Sequence, residues 1–344
     1  MKDLFNLHKF YNVDIFNKSS KKPYNRGRSF GYQILGFGSG VGAAAADYTT
    51  ATQKALFGFG ANGGYSAVTN VVNSSGVVAT DTSGVGTGRN YLAATNFGGD
   101  KAIFAFGFND SGQLGMSNLV SNIGVVSADV AAVGVVRYGV AGSAYGADGQ
   151  AIFAFGYAGT SKINTKNLVT NVGVIGSDTS SAGTGRNNLA CTPFGDGQAI
   201  FCYGAKTGAV VSNIVSTDGV VASDQSASGT RRWELGGAGY GGDKGVFYGG
   251  YDPGTGNSFG MTNLVSNTGG VGSDVSKVGT ARSYCALASY GGDKALLAFG
   301  YASSLLAHTN ISNLISSSGV MAADTTGVGT SRQSPAGVGF SQSA

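Results

Sequence analysis

An Asn, an Asp and an Arg recur six times along the chain as Asn-x10-Asp-x7-Arg, with no insertion or deletion inside any copy. The copies are Asn70/Asp81/Arg89, Asn118/Asp129/Arg137, Asn167/Asp178/Arg186, Asn213/Asp224/Arg232, Asn263/Asp274/Arg282 and Asn313/Asp324/Arg332. Successive Arg positions lie 48, 49, 46, 50 and 50 residues apart, which is the length of a propeller blade and exceeds a leucine-rich or ankyrin repeat. A unit of this size cannot bury both faces of its own sheet, so the copies must pack against one another.

Each copy predicts four antiparallel strands. The first is rich in small residues and ends in a tight turn, and the second places bulky residues two apart, which is the period for packing one sheet face. The bulky pairs are Phe57/Phe59, Phe104/Phe106, Phe153/Phe155, Phe201/Tyr203 and Leu297/Phe299, weakening to Phe247 and Gly249 in the fifth copy. The third strand carries Asn-Leu-Val-Ser-Asn or a variant, and the fourth carries Gly-Val-Val-x-x-Asp. We therefore predict an all-β fold, a β-propeller of about six four-stranded blades.

The repeat is incomplete at both ends. Residues 43–50 are suited to be the first strand of blade one, although Gly42 stands where an Arg is expected. The stretch after Arg332 resembles another first strand with nothing following, and residues 32–38 resemble a second strand without a partner. The ends either clasp a six-bladed ring, which we favour, or pair as a partial seventh blade. The predicted domains are an anchoring arm, residues 1–30, and the propeller, residues 31–344.

Composition and charge argue against several classes of protein. Sixty Gly, 12% charged residues and a single Glu among 344 residues are typical of a turn-rich β protein. The net charge of +4 is concentrated near the N-terminus, so the repeats offer no broad electrostatic surface for nucleic acid or a membrane. No apolar run approaches the roughly 18 residues that span a bilayer, and the start lacks the apolar core of a secretion signal. Cys191, Cys202 and Cys285 lack CxxC spacing, which predicts buried thiols.

The sequence lacks patterns for catalysis or for metal and cofactor binding. Glu234 is the only Glu, and His8 and His308 stand in different contexts, so no acid–base pair is indicated and we predict no enzyme and no cofactor. The repeated Asp lacks EF-hand spacing, which favours turn capping over calcium binding. The twelve repeat Asp and Arg residues are predicted to form structural ties between strand ends, and local pairing is favoured over an anion-binding ring of Arg.

Length varies almost only between the Gly that ends the second strand and the block Asn, at 10, 11, 11, 9, 13 and 13 residues. We expect these six loops to emerge on one side, where a constant scaffold commonly presents recognition residues. The candidate binding residues are Tyr65, Phe108, Asn109, Tyr157, Tyr251, Asp252, Phe259, Tyr301 and His308. Their aromatic rings are suited to stack on sugars or to pack on a partner protein.

The first 30 residues combine basic side chains with six aromatic ones. This aromatic content is high for a free solvated tail and favours an arm that docks on another protein. The predicted anchoring residues are Phe5, Phe10, Tyr11 and Phe16.

The repeat begins Arg-x-x-(apolar)-Ala-x-x-x-(aromatic)-Gly-x-x-Lys-Ala-Ile-Phe-x-Phe-Gly and continues with Asn-Leu-Val-Ser-Asn and Val-Val-x-x-Asp. This pattern resembles kelch-type propeller repeats over roughly residues 43–340. It departs from that pattern because a Gly doublet ends the second strand only at Gly249-Gly250, and because the single Trp, Trp233, stands beside Arg232. Residues 106–115 look like the regulator-of-chromosome-condensation repeat, which is also a propeller repeat. Both resemblances imply the same fold.

Kelch-like arrays rich in Gly, Ser, Thr and Asn are similar to proteins of tailed-bacteriophage virions. This resemblance implies a non-enzymatic virion structural protein, a tail, fibre or decoration component, made in the host cytoplasm. The arm would bind other virion proteins, and the loops would meet a host-surface glycan or protein, with no nucleic-acid partner and no membrane insertion. Two alternatives stay open, a glycan-binding lectin-like propeller and a cytoplasmic protein-interaction hub.

Overall fold

The computed structural model describes residues 52–206, 208–276 and 278–344, and these residues contain strands and turns but no helix. The strands are β1 (Lys54–Gly58), β2 (Thr69–Val72), β3 (Ala93–Phe97), β4 (Lys101–Asn109), β5 (Gly112–Val120), β6 (Ala141–Tyr145), β7 (Gln150–Ala154), β8 (Tyr157–Ala158), β9 (Ser161–Lys162), β10 (Thr165–Val169), β11 (Thr179–Ser180), β12 (Ala190–Phe194), β13 (Gln198–Cys202), β14 (Val211–Val215), β15 (Gln225–Ser226), β16 (Gly236–Tyr240), β17 (Lys244–Tyr248), β18 (Thr262–Val265), β19 (Ala286–Tyr290), β20 (Lys294–Ala302), β21 (Ala307–Ile315) and β22 (Ala336–Phe340). The predicted all-β class is confirmed.

Five antiparallel sheets follow the chain order, one for each repeat from the second to the sixth. They are β3-β4-β5, β6-β7-β10-β11, β12-β13-β14-β15, β16-β17-β18 and β19-β20-β21, and the small hairpin β8-β9 is inserted in the second of them. Each begins with a short strand of small residues and a tight turn, so that in the first sheet Phe97 lies opposite Lys101. The sequence predicted these first two strands for all five sheets.

A further sheet, β2-β1-β22, joins the two ends of the described chain. β1 pairs antiparallel with β2 on one side and with β22 on the other, where Lys54 lies opposite Phe340 and Gly58 opposite Ala336. The C-terminal stretch therefore has a partner. It occupies the position beside β1 that the sequence predicted for residues 43–50. Residues 32–38 and 43–50 lie outside the described residues.

The predicted fourth strand is much reduced. Its Val-Val segment contributes a single bridge to the third strand, as between Val120 and Val126. After the Asp, pairing resumes only as a two-residue strand, β11 or β15, or as one further bridge such as Ser117 with Val130. A side chain replaces part of the ladder, because Asn118 donates its amide to the Ser127 carbonyl at 3.0 Å. The other five block Asn residues make the equivalent bond.

The hydrophobic core lies between neighbouring sheets. The predicted bulky pairs are buried, and in β4 both Phe104 and Phe106 are 0% exposed. Rings from adjacent sheets meet edge to face, as Phe106 and Phe153 do with centroids 5.7 Å apart. Gly249 replaces the second aromatic of the fifth copy and adopts the same left-handed backbone, with φ of 71° against 63° at Phe106.

The first strands of the sheets contact one another in chain order. β3 contacts β6, β6 contacts β12, β12 contacts β16, β16 contacts β19, β19 contacts β22, and β22 contacts β3. The series of contacts thus returns to the strand where it began. Small residues permit this approach, since a Cβ on Gly237 would lie 2.5 Å from the Cys191 carbonyl oxygen of the neighbouring first strand.

Candidate functional site

Each repeat Arg is buried between two sheets, and Arg137 shows its bonding. Its Nε donates to the Phe155 carbonyl at 3.0 Å, Nη1 to the Val135 carbonyl at 3.1 Å and Nη2 to Asn167 Oδ1 at 2.6 Å. The guanidinium lies 3.9 Å from the ring centroid of Phe106 in the preceding sheet. Burial lowers the pKa of Arg137 to about 10, and the charge of Asp178 opposes this shift. The guanidinium of Arg137 thus bonds acceptors of the protein itself and connects neighbouring parts of the scaffold.

The Asp and Asn beside each Arg come from the next copy of the block. Arg89 lies 3.9 Å from Asp129 and donates to Asn118 at 2.7 Å, whereas Asp81, eight positions before Arg89, accepts from Thr330. Arg332 of the last copy donates to Asn70 of the first copy at 2.7 Å. Four Arg–Asp pairs lie within 3.7–4.0 Å. The ties therefore connect the copies in series, including the last with the first.

Two of the six predicted Asp–Arg ties are not ion pairs, and this corrects the sequence prediction for Arg282 and Arg332. Within the described residues, neither guanidinium has a carboxylate oxygen within 4.0 Å. Arg332 makes the same three hydrogen bonds as Arg89 and Arg137, but Arg282 does not. Nη2 of Arg282 still donates to Asn313, yet Nη1 donates to the Ile311 carbonyl, whereas the other five repeat Arg residues use the carbonyl two positions before them.

The departure at Arg282 has a local cause in the preceding sheet. The other five repeat guanidiniums stack on an aromatic ring that ends the second strand, and Gly249 offers no ring at that place. The hydroxyl of Tyr248 donates to the Thr280 carbonyl, which is the acceptor that Nη1 would otherwise use. Arg282 is therefore held by Asn313 and a backbone carbonyl of the next copy rather than by an Asp.

The repeated Asp caps the loop that precedes each Arg. Asp129 accepts from the Thr87 amide at 3.0 Å, from Thr87 Oγ1 at 2.7 Å and from Asn118 Nδ2 at 2.9 Å. Burial raises the pKa of Asp129, but these hydrogen bonds and the charge of Arg89 outweigh it and leave the pKa below its ordinary value. The predicted capping of backbone amides is present.

Several candidate loop aromatics lie at the sheet end where the second strand passes to the third, and their rings touch. Ring centroids are 6.5 Å apart for Tyr65 and Phe108, 5.4 Å for Phe108 and Tyr138, and 5.5 Å for Tyr138 and Tyr157. All four residues are half-buried, so part of each stays accessible. The structure thus brings together three candidates and adds Tyr138.

The ring contacts continue across the same end of the molecule. Tyr91 lies 5.7 Å from Tyr138 and 6.0 Å from Tyr284, and Tyr251 lies 6.4 Å from Tyr284 and 6.1 Å from Trp233. The eight rings form one network, called the aromatic face below. Its members are Tyr65, Tyr91, Phe108, Tyr138, Tyr157, Trp233, Tyr251 and Tyr284.

Tyr301 and His308 form a separate pair, with ring centroids 5.8 Å apart. His308 Nδ1 lies 2.9 Å from Asn62 Oδ1, so β21 of the last repeat touches the loop between β1 and β2 of the first repeat. Phe259 is half-buried and donates its amide to the Gly250 carbonyl at 2.7 Å. None of the three candidates is part of the ring network, and only Phe259 lies on a loop, because β20 contains Tyr301 and β21 contains His308.

Two polar candidates shape their own loops. Asn109 accepts from the Ser111 amide at 2.9 Å, and Asp252 accepts from the Gly254 amide at 2.8 Å and from Thr255 Oγ1 at 2.6 Å. These Asx-turn contacts occupy part of the acceptor capacity of both side chains. The predicted anchoring residues Phe5, Phe10, Tyr11 and Phe16 lie outside the described residues.

A ring of residues that the sequence did not single out surrounds a cavity of about 110 Å³. Each member stands two positions after a repeat Arg and has a left-handed backbone. They are Tyr91 (φ 51°), Gly139 (63°), Asn188 (56°), Glu234 (57°), Tyr284 (55°) and Ser334 (49°). From Gly139 onward each amide donates to the carbonyl of the previous member at 2.8–2.9 Å. An alignment of the repeats on their Arg places these six residues at one position, and this shared position is the sequence signal that could have identified them.

Glu234 is the ionisable centre of this cavity. Burial raises the pKa of Glu234 well above its ordinary value, and a hydrogen bond with Asn188 only partly opposes this. Burial, and then the charge of Glu234, raise the pKa of Tyr284 to about 12 and raise that of Tyr91 as well. Among the described residues, those lining the cavity include no Lys, Arg or His. The carboxyl group therefore lacks a cationic partner within the cavity wall.

The cysteines are free and buried, as predicted. In the part of the chain that the structure describes, no group of His, Cys, Asp and Glu is placed to hold a metal ion, and no helix is long and apolar enough to cross a membrane. No protein-family model and no curated protein sequence matches the chain.

Proposed function

We propose that the chain is a non-enzymatic virion structural protein, a tail, fibre or decoration component, built on a closed six-bladed propeller that presents its aromatic face for attachment. The cycle of first-strand contacts supports closure, because β22 contacts both β19 and β3. The sheet β2-β1-β22 would serve as the blade that joins the two ends of the repeat region. The virion assignment rests on the resemblance of the repeats to kelch-like phage proteins.

The observation that carries the attachment role is the continuity of the aromatic face. Eight rings in mutual contact on the loop side offer flat, partly accessible apolar surface with polar edges, which is the composition of recognition surfaces. Loops of neighbouring sheets also brace one another, since Gln113 and Gly159 exchange two hydrogen bonds at 2.7 and 3.1 Å. A braced surface loses little conformational freedom on binding.

Attachment is tested by the binding of the purified chain to host cell envelopes. Replacing Phe108 and Tyr251 with Ser removes two rings of the aromatic face and is expected to lower binding at least tenfold. The matched control is Ile123→Ser, because Ile123 is 78% exposed on a turn at the opposite end of its sheet. Equal binding by all three proteins would remove the aromatic face from the attachment role.

Residues 1–30 provide the test of the virion role. A chain lacking them is expected to fold but to be lost from purified particles, whereas the full chain is incorporated. If the truncated chain is incorporated equally, the arm is not the anchor. If the full chain is absent from particles and binds host proteins with or without residues 1–30, the cytoplasmic hub is the correct assignment.

A glycan-binding propeller is the second candidate, because aromatic rings beside the amide of Asn188 and the carboxyl of Glu234 are suited to bind a sugar. A glycan array probed with the full chain separates the two. Saturable binding to a defined glycan, abolished by Tyr91→Ser with Tyr284→Ser in the cavity lining, would establish the lectin. No binding at millimolar sugar would leave the protein-attachment role.

A further inference from the structure

Two side-chain oxygens of the cavity lining make no hydrogen bond within the described residues: the amide oxygen of Asn188 can only accept, whereas the hydroxyl of Ser334 can donate or accept. Asn188 Oδ1 is buried and makes no hydrogen bond within the described residues. It lies over Gly139, where a Cβ would overlap it, so the one ring member without a side chain leaves room beside this oxygen. The carboxyl of Glu234 lies in the same ring and is bonded by Asn188. Buried acceptors without donors are costly unless something supplies a donor.

Aromatic surface adjoins these acceptors. Tyr91 and Tyr284 belong to the same ring of residues as Glu234, and their rings contact each other at 6.0 Å. Tyr138 and Tyr251 extend the aromatic surface outward from them. The cavity volume of about 110 Å³ is several times the roughly 10–15 Å³ that one water molecule needs, so a small organic head group fits.

We propose that this cavity binds the alkylammonium group of a small ligand, with the Glu234 carboxylate as its counter-ion, Asn188 Oδ1 as a hydrogen-bond acceptor and the rings of Tyr91 and Tyr284 as its aromatic walls. An ammonium group supplies one positive charge, which no residue of the cavity lining carries, and three donors, which Asn188 Oδ1 and the Glu234 carboxylate can accept. Aromatic faces attract such cations. An anion would meet the carboxyl without any compensating cation in the lining. This inference does not depend on the virion role.

Binding is expected to be coupled to loss of one proton. Burial raises the pKa of Glu234 in the empty cavity, and the incoming cation stabilises the carboxylate, so binding lowers this pKa and releases a proton to solvent from the protonated carboxyl. The other titratable groups that face it are the phenols of Tyr91, Tyr138 and Tyr284, and the thiols of Cys191 and Cys285 line the cavity wall. Burial raises the pKa of Cys285 to about 11 and raises that of Cys191 further.

Calorimetric titration of the full chain with n-propylammonium chloride tests the proposal, with n-propanol as the uncharged ligand of similar size. Propylammonium keeps its charge below a pH of about 10. We expect saturable binding of propylammonium only, an affinity that rises with pH until Glu234 is ionised in the free protein, and release of about one proton at lower pH. Titration in two buffers of different ionisation enthalpy measures that proton.

Two variants locate the site. Glu234→Gln keeps the shape but not the charge, and is expected to weaken propylammonium binding at least tenfold and to abolish proton release. Asp148→Asn is the control, because Asp148 is exposed on the turn between β6 and β7 and is not part of the cavity lining. Equal binding of propanol, unchanged affinity in Glu234→Gln, or no binding of propylammonium at all would each overturn the proposal. The comparison of the two ligands on the unmodified chain decides the question even if a variant does not fold.

Discussion

Arg137 has a buried charge, each of whose three nitrogens donates one hydrogen bond to the protein, and its guanidinium lies over the ring of Phe106. Arg137→Ala would leave Asn167 and the Phe155 carbonyl without their donor and open space beside Phe106. Breaking such a buried charge network is expected to lower the free energy of unfolding by about 3–5 kcal/mol, measured by urea denaturation. The control is Lys101→Ala, since Lys101 is 45% exposed and pairs with Asp100 at the surface. That change should cost about 0–1 kcal/mol, and equal losses would contradict the prediction.

Glu234 should make stability depend on pH in the opposite sense to the capping Asp residues. Because its pKa is raised in the folded state, the folded chain binds more protons than the unfolded chain above the ordinary Glu pKa of about 4.3. Stability is therefore lost as pH rises from that value toward the folded pKa. Glu234→Gln should remove this loss and raise stability at neutral pH, as measured by thermal unfolding from pH 4 to 8. A variant less stable than the parent at every pH would contradict this.

Residue partners were only partly predictable from the sequence. Fixed spacing identified Asp129 and Arg137 as structural residues, but Arg137 is bound by Asn167, 30 positions later, and by Asp178 of the same later block. Spacing along the chain cannot show this, because the strands fold back and bring the next block beside the Arg. The exception at Arg282 was equally hidden, since it depends on a missing ring in the preceding sheet. The burial of the Arg was also not evident, since Arg is mostly an exposed residue.

The first strands need small residues because neighbouring backbones approach closely there. A Cβ on Gly237 would meet the Cys191 carbonyl oxygen at 2.5 Å, and a backbone atom cannot rotate away as a side chain can. Gly237→Ala is expected to lower the free energy of unfolding by about 1–3 kcal/mol, measured by chemical denaturation. Gly64→Ala is the control, because a Cβ there meets nothing within 4 Å. It should change stability by less than about 0.5 kcal/mol, and a comparable loss in both would contradict the packing argument.

Strands that bury their own alternating side chains were predicted well from the sequence. The fourth strand was not, because a side-chain hydrogen bond replaces part of its backbone pairing. The period-2 burial of β4 could be recognised from Phe104 and Phe106. The shortening of the fourth strand could not be recognised, because Val126 is a typical strand residue. The side chain of Asn118 donates to the Ser127 carbonyl, where a backbone amide of a paired strand would otherwise donate.

At the scale of the whole molecule, the repeat register predicted six units but not the ring of residues at the cavity. Tyr91, Asn188 and Glu234 occupy the same position in three aligned repeats, but their side chains differ in chemistry, so they form no recognisable sequence motif. Their proximity depends on the first strands meeting one another, which is a tertiary property. The identity of the strand beside β1 was likewise open, because residues 43–50 and β22 have similar sequence character and only the folded chain selects between them.

The strand β22 connects the two ends of the repeat region, so its removal should affect the sheet that contains β1 first. Deleting residues 336–344 removes all the pairing between β1 and β22 and the buried ring of Phe340, which is 0% exposed. We expect amides of β1 to exchange with solvent much faster, whereas those of β13 across the molecule lose less protection, because local unfolding follows the broken contacts.

A milder variant separates this local effect from a general failure to fold. Phe340→Ala keeps the backbone pairing and should cost about 3–5 kcal/mol, with the loss of amide protection again centred on β1. Truncation after Gln342 is the control, because it leaves β22 intact, and it should preserve both stability and exchange rates. If β1 keeps its protection when residues 336–344 are deleted, the two ends do not depend on each other, and the closed arrangement would have to be abandoned.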